Sequence, residues 1–210
     1  MLVADDLFLV ALDDRTGRSR LHARAMGLGL AGGLLAELVL SGTITVESGR
    51  FLFSRQSPRH HPPDPLTART LDQLLREPQH DLRVWLAYLA RDAVEPVAER
   101  LIRAGVITRE RQRGLLRTTV SYLPVDATVV AWRAVRLAQL VVRREEMSWP
   151  DRVLAGLVSA TDLARQVLWD AEPSAFAHLE HVVGTLPAPL RAIVAQVEAL
   201  VGDSVLTHRR

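Results

Sequence analysis

A long apolar stretch rich in glycine constrains the fold of this chain more than any other sequence feature. Between Arg24 and Glu37, the twelve residues Ala25–Ala36 carry no charged side chain. With its flanks this stretch predicts one helix over Arg20–Leu40, ended by Ser41-Gly42. A helix that is apolar nearly all round lies at the centre of a domain. Twelve residues are too few to cross a bilayer, which needs about 20.

The glycines of this helix form a literal G-x-G-x-x-G at Gly27, Gly29 and Gly32, with Glu47 twenty residues after the first. A dinucleotide site needs the first glycine directly after a strand, so that the phosphates meet a helix N-terminus. Here the preceding residues continue the helical pattern. We therefore interpret the glycines as packing positions, and predict that Gly29 and Gly32 face other helices.

The rest of the chain reads as helices with one or two hairpins, which predicts a mainly α fold in a single domain, 1–210. The predicted strands alternate β-branched or aromatic residues around turn residues. The predicted helices are separated by prolines, glycines and acidic caps. The predicted helices lie at Ala4–Leu12, Arg20–Leu40, Leu66–Arg76, Leu82–Arg91, Glu95–Ala104, Val125–Arg144, Trp149–Trp169, Ser174–Val183 and Pro187–Val201, and the strands at Thr43–Val46, Phe51–Phe53, Val106-Ile107 and Leu115–Tyr122.

Composition excludes several function classes. The chain has no cysteine, which rules out disulfides, thiol catalysis and cysteine-bound metal. Its pI of about 9.8 does not indicate a nucleic-acid partner, because the net charge is only +2 and all 26 basic residues are arginine. The absence of lysine and asparagine is typical of a GC-rich, bacterial genome. Asp5 and Asp6 stand where a signal peptide would be basic, so we expect a cytoplasmic protein that can lie on the inner face of a membrane.

The sequence offers no catalytic signature and no complete metal site. His178 and His181 are three residues apart on one predicted helix, and His60-His61 lie in a proline-rich loop. Neither pair has a third ligand in pattern, so both are interpreted as surface histidines. We expect no enzyme activity, no cofactor and no metal.

Residues 109–117 combine arginines with two adjacent leucines and allow three interpretations. They form a solvated charged turn, the wing of a DNA-binding winged helix, or a membrane contact in which the leucines insert and the arginines meet anionic headgroups. The near-neutral charge of the chain argues against DNA. The residues concerned are Arg109, Arg111, Arg113, Leu115, Leu116 and Arg117.

Four segments, in order, resemble the Golgi phosphoprotein 3 family, and the resemblance spans roughly residues 3 to 200. The second segment is the most specific, and it accounts for the glycines without a nucleotide. The segments are Asp5–Gly17 (DDLFLVALDDRTG), Gly29–Ile44 (GLAGGLLAELVLSGTI), Glu99–Thr108 (ERLIRAGVIT) and Asp151–Val158 (DRVLAGLV).

The resemblance implies a mostly helical, non-enzymatic domain. Eukaryotic members are peripheral membrane proteins that bind phosphatidylinositol 4-phosphate and act as adaptors for glycosyltransferases. Their headgroup pocket uses a tryptophan, an arginine on the glycine-rich helix and two arginines three residues apart. In this chain those positions hold His22, Ala31, Arg91 and Val94, so one of the four is retained.

The family hairpin, which contacts membrane and other subunits, falls on Glu110–Ser121. We therefore expect an anionic membrane lipid or a partner protein as ligand, with a lipid site at Arg91 and His22. The contact hairpin is expected at Arg111, Arg113, Leu115, Leu116 and Arg117, where a homo-oligomer could also form. A winged-helix regulator remains the alternative.

Overall fold

The glycine-rich helix forms the centre of the structure. A computed structural model describes residues 2–13, 15–54, 64–113 and 118–207. The central helix, α2 (Ala23–Leu40), makes its most extensive contacts with five other helices. These are α1 (Val3–Val10), α3 (Pro65–Arg76), α4 (Leu82–Leu89), α7 (Trp149–Ala160) and α10 (Ala188–Thr207).

The described residues are 63% helical, which confirms the mainly α prediction. The remaining helices are α5 (Val94–Arg103), α6 (Ala127–Val142), α8 (Ala164–Val167) and α9 (Pro173–Gly184).

Helix α2 has 18 residues and is long and apolar enough to cross a membrane, whereas its uncharged stretch of twelve residues alone is too short. However, 78% of it is buried within the fold, as expected for the central helix of a folded domain. Its glycines are the sites of closest helix approach. A Cβ on Gly29 would lie 2.8 Å from Leu7 Cδ2, and one on Gly32 would lie 2.8 Å from Val197 Cγ2. Both glycines therefore face other helices, as predicted.

Two antiparallel hairpins complete the fold. The first joins β1 (Ile44–Glu47) to β2 (Arg50–Phe53), with Glu47 paired to Arg50. Ser48 and Gly49 both have positive φ, at 49° and 76°, which is the geometry of the two-residue turn favoured in hairpins. The second joins β3 (Ile107–Arg113) to β4 (Thr118–Pro124), in a register that pairs Ile107 with Pro124 and Arg113 with Thr118.

The prediction of one helix over Trp149–Trp169 is wrong. Helix α7 ends at Ala160, and Asp162 adopts a positive φ of 62°. The Thr161 hydroxyl donates to the Leu157 carbonyl oxygen over 2.7 Å. At the end of α7, this hydroxyl therefore competes with backbone N–H groups for a carbonyl oxygen of the helix. The chain then turns into the short α8, and Trp169 lies beyond it.

Candidate functional site

The β3–β4 hairpin is held to the helices by a clamp at its base, formed by Arg109, Glu95, Tyr122 and Phe8. Arg109 Nη2 lies 2.5 Å from Glu95 Oε1, and the Tyr122 hydroxyl donates to Glu95 Oε2 over 3.0 Å. The Tyr122 ring meets Phe8 edge-on at 5.3 Å. Burial, with the hydrogen bond to Glu95, raises the pKa of Tyr122 to about 12. The sequence grouped Arg109 with the other hairpin arginines, but the structure assigns it to this clamp.

A turn of the first family segment also supports the hairpin base. Gly17, at a φ of 63°, accepts a hydrogen bond from the Tyr122 backbone N–H over 2.8 Å. A Cβ at Gly17 would lie 2.9 Å from the Tyr122 carbonyl oxygen, so the two backbones approach more closely than a larger residue permits. The Asp13 carboxylate stabilises the turn by accepting a hydrogen bond from the Thr16 backbone N–H. The first segment therefore contributes to the position of the hairpin.

Beyond the clamp, Arg111 lies on the exposed part of β3, with Val120 as its cross-strand partner. Val120 is itself 40% exposed, so an arginine and an apolar side chain stand together on this part of the hairpin. Arg113 is the last residue of β3. The predicted apolar tip, Leu115 and Leu116, and the neighbouring Arg117 lie outside the described residues.

The predicted lipid-site residues His22 and Arg91 lie on elements that meet. His22 caps α2, where its Nδ1 accepts from the Arg24 backbone N–H over 3.4 Å. Arg91 is exposed and follows the end of α4, next to Ala90, whose carbonyl oxygen lies directly against Gly27 of α2. The start of α2 and the end of α4 are therefore adjacent.

The other two positions of that pocket do not supply ligands. Ala31 is fully buried on α2, and Val94 packs against the hydrophobic core. Neither side chain can donate a hydrogen bond to a phosphate. Of the four positions that the resemblance assigns to the headgroup pocket, only Arg91 holds an arginine, and it lies where the end of α4 meets the start of α2.

Sequence reasoning missed a buried ion network around Arg100. Arg100 Nε lies 2.8 Å from Asp5 Oδ1, and its Nη1 lies 2.8 Å from Asp64 Oδ2 and 3.4 Å from Glu37 Oε2. Glu37 also accepts from the Ala4 backbone N–H and from the Thr67 hydroxyl. The network joins the first three family segments, since Asp5, Glu37 and Arg100 belong to one each. The available signal was the position of two acidic residues, Asp5 and Glu37, inside largely apolar helices.

Three carboxylates face one guanidinium in this network, and their pKa values diverge. Burial raises the pKa of Glu37 and of Asp5 despite the charge of Arg100. Burial also opposes ionisation of Asp64, but hydrogen bonds from Thr67 and the charge of Arg100 outweigh it and lower the pKa of Asp64. Asp5, Glu37 and Arg100 are buried, and Asp64 caps α3, so the network joins α1, α2 and α5 to the start of α3.

A second charged cluster links α6 to the fourth segment. Arg136 contacts both carboxylate oxygens of Asp151, at 2.5 and 2.9 Å, and Ser148 donates to the same group over 2.6 Å. Burial opposes ionisation of Asp151, but these hydrogen bonds prevail and lower its pKa. Arg133 lies 3.2 Å from Asp6. This cluster fixes the orientation of α6 against α1 and α7.

The remaining sequence motifs do not form a ligand site within the described chain. The G-x-G-x-x-G lies inside α2 and no strand leads into it. The rings of His178 and His181 stack at 6.2 Å, and the described residues contain no group of three side chains suited to a metal ion. His60-His61 lies outside the described residues.

The fold and its surfaces therefore define a mainly helical domain whose buried charges hold elements together. The family model for Golgi phosphoprotein 3 (GPP34) matches residues 3–197, and the chain belongs to this family. Membership supports an adaptor-type domain similar to Golgi phosphoprotein 3 and does not favour the winged-helix interpretation.

Proposed function

We propose that this chain is a non-enzymatic, cytoplasmic adaptor-type domain that attaches reversibly to an anionic membrane surface through the tip of the β3–β4 hairpin. The observation that carries the proposal is membership of the Golgi phosphoprotein 3 family over residues 3–197. The hairpin geometry supports it, because the clamp formed by Arg109, Glu95, Tyr122 and Phe8 fixes the base of the hairpin, and Arg111 and Val120 are exposed beyond the clamp.

The chemistry of the hairpin fits a bilayer interface. Arg111, Arg113 and Arg117 surround the adjacent Leu115 and Leu116 in sequence, and Arg111 stands beside the exposed Val120. Burying two leucines at the boundary of headgroups and acyl chains contributes roughly 1.5–3 kcal/mol each. Arginines near an anionic leaflet add about 1 kcal/mol apiece, screened by salt. These magnitudes support reversible attachment.

We propose a second, weaker contact at Arg91 and His22, where a lipid phosphate would meet the junction of α2 and α4. One charge-assisted hydrogen bond to phosphate contributes about 1.5–3 kcal/mol. With Ala31 and Val94 at the other two arginine positions, selectivity for phosphatidylinositol 4-phosphate is expected to be weak or absent.

The hairpin proposal predicts that Leu115→Ser/Leu116→Ser lowers binding to anionic vesicles, because the apolar contribution to insertion is lost. Binding of the wild type should also fall as salt is raised. The measurement is flotation with phosphatidylserine-containing vesicles. Leu52→Ser is the matched control, since Leu52 is 46% exposed on the other hairpin. Wild-type binding by the double variant, or no wild-type binding to anionic vesicles, would favour a subunit contact for the hairpin.

The lipid-site proposal predicts that Arg91→Ala removes what preference remains for phosphatidylinositol 4-phosphate over phosphatidylinositol. Arg69→Ala, at an exposed arginine of α3, should bind as the wild type does. The measurement is vesicle binding with the two lipids at equal mole fraction. Sub-micromolar wild-type affinity that Arg91→Ala leaves unchanged would place the lipid site elsewhere.

A further inference from the structure

Helices α3 and α4 form a hairpin with a cavity of about 250 Å³ beside it. The end of α3 and the chain after it line one side with Gln73, Arg76 and Glu77, and the start and middle of α4 line the other. Neither His22 nor Arg91 is among the described residues that line this cavity. It is therefore distinct from the proposed lipid site.

The side of the cavity that α4 supplies is aromatic and apolar. Trp85 is 4% exposed, and its ring meets two other lining rings edge-on. The ring centroids are 5.5 Å apart for Trp85 and Tyr88, and 6.4 Å apart for Trp85 and His80. Tyr88 and Val84 also line the cavity, and both are exposed. They offer a small apolar surface for the body of a ligand to cover.

Trp85 carries a buried hydrogen-bond donor that the described chain leaves unpaired. Its indole Nε1 is shielded from solvent and has no acceptor among the described residues. Buried tryptophan N–H groups usually have a partner, since an unpaired donor in a protein interior is costly. The indole N–H therefore points to an oxygen acceptor that a bound molecule supplies.

The other uncommitted polar groups at the cavity can also donate. The side chains of Arg76 and Gln73 make no hydrogen bond or ion pair with any described residue. The acidic group at the cavity, Glu77, is engaged, because its Oε2 lies 3.2 Å from His80 Nε2. The available donors favour a ligand with acceptor oxygens, and the nearby Glu77 carboxylate disfavours a ligand with more than one negative charge.

We propose that this cavity binds a small organic acid, which has one carboxylate and an apolar body. The carboxylate accepts from the Trp85 indole N–H and from the Arg76 guanidinium, whose planar fork suits two carboxylate oxygens. The body lies against Val84 and Tyr88. Sites for drug-sized ligands measure about 300–1,000 Å³, so this smaller cavity suits a ligand with a single ring or a short chain.

The test is a titration of the full chain with benzoate, followed through the indole N–H signals in ¹H–¹⁵N NMR spectra. The chain has four tryptophans, and Trp85→Phe assigns the Trp85 signal by its disappearance. We expect this signal to move saturably with benzoate, while that of the exposed Trp169 stays in place. Acetate keeps the charge without the ring, and benzamide keeps the ring without the charge. Each should bind at least tenfold more weakly than benzoate.

Arg76→Gln should raise the dissociation constant for benzoate more than tenfold, because a hydrogen bond between two charged groups is lost. Arg69→Gln is the matched control, since Arg69 is exposed two turns earlier on the same helix and is not among the lining residues. It should bind benzoate as the wild type does. Trp85→Phe removes the N–H donor and keeps a ring, so it should raise the dissociation constant roughly 3- to 10-fold, read from the backbone amide signal of Val84.

A Trp85 indole signal that benzoate does not move at millimolar concentration would overturn the proposal and assign the buried N–H to ordered water. Equal affinity for benzamide, or tighter binding of inorganic phosphate, would overturn the carboxylate as ligand. So would equal losses in Arg76→Gln and Arg69→Gln, because they would show a non-specific effect of charge. The titration contains no lipid, so its failure would leave the proposed membrane function unaffected.

Discussion

At the scale of single residues, Arg100 has the most demanding role in this structure. It is buried with Asp5 and Glu37, and its guanidinium lies within hydrogen-bonding distance of Asp5, Glu37 and Asp64. A buried ion network of this kind need not stabilise a fold more than apolar packing would. Removal of one member is nevertheless costly, because the opposite charges remain buried without compensation.

We therefore expect Arg100→Met to lower the free energy of unfolding by about 3–5 kcal/mol, measured by urea denaturation at neutral pH. Arg103→Met, three residues along the same helix and exposed, should change it by less than about 0.5 kcal/mol. Equal, small effects of both changes would show that the carboxylates near Arg100 are neutral in the folded protein.

At the scale of elements, the glycines of α2 allow the close packing that defines the domain. Gly29 faces Leu7 of α1 and Thr161 after α7, and Gly32 faces Val197 of α10 and Leu157 of α7. The central helix thus contacts the first and last helices through positions where any side chain would intrude. This packing role explains the motif that resembles a dinucleotide fingerprint.

Gly29→Leu and Gly32→Leu should each lower the free energy of unfolding by about 1–3 kcal/mol or more, because they overpack these contacts. The measurement is a thermal or urea melt. Gly202→Leu in α10 is the control, since a Cβ there meets no atom within 4 Å; it should be neutral or slightly stabilising, as leucine favours helices more than glycine does. Unchanged melts of both α2 variants would mean that these positions tolerate expansion.

At the scale of the whole molecule, the charge networks predict how stability varies with pH. Glu37 has a raised pKa in the folded protein, so above its ordinary value of 4.5 the folded state binds more protons than the unfolded state. The contribution of Glu37 to the free energy of unfolding is therefore lost as pH rises through the pKa that Glu37 has in the folded protein. Asp64 and Asp151 have lowered pKa values, so their contribution is present above about 3.8 and lost as pH falls.

We expect the free energy of unfolding to be greatest at mildly acidic pH and to fall on both sides. Glu37→Gln should flatten the decline above pH 4.5, because it removes the titrating group, and leave the acid side unchanged. Urea melts across pH 3–8 measure both slopes, and one proton corresponds to about 1.4 kcal/mol per pH unit. An identical slope above pH 4.5 in the variant would assign the decline to another group, with Asp5 as the first candidate.

Much of the fold could be predicted from local sequence patterns, and the misses have physical causes. The α2 helix and the β1–β2 hairpin follow directly from apolar runs and turn residues. The end of α7 did not, because the break at Thr161-Asp162 has no glycine or proline to mark it. The Arg100 network was missed because its pairs lie up to 95 residues apart in sequence, and spacing carries no signal over that range. At the site, sequence patterns identified the hairpin but could not assign Arg109 to the clamp.

The central position of α2 has a consequence for synthesis of the chain. Its last partner, α10, begins at Ala188, roughly 150 residues after α2 ends. At about 5–20 residues per second, the most apolar helix waits on the order of 10–30 s for that partner to emerge from the ribosome. Until α10 emerges, the part of α2 that packs against it lacks its native neighbour, so the nascent protein exposes apolar surface that becomes core only when synthesis is nearly complete.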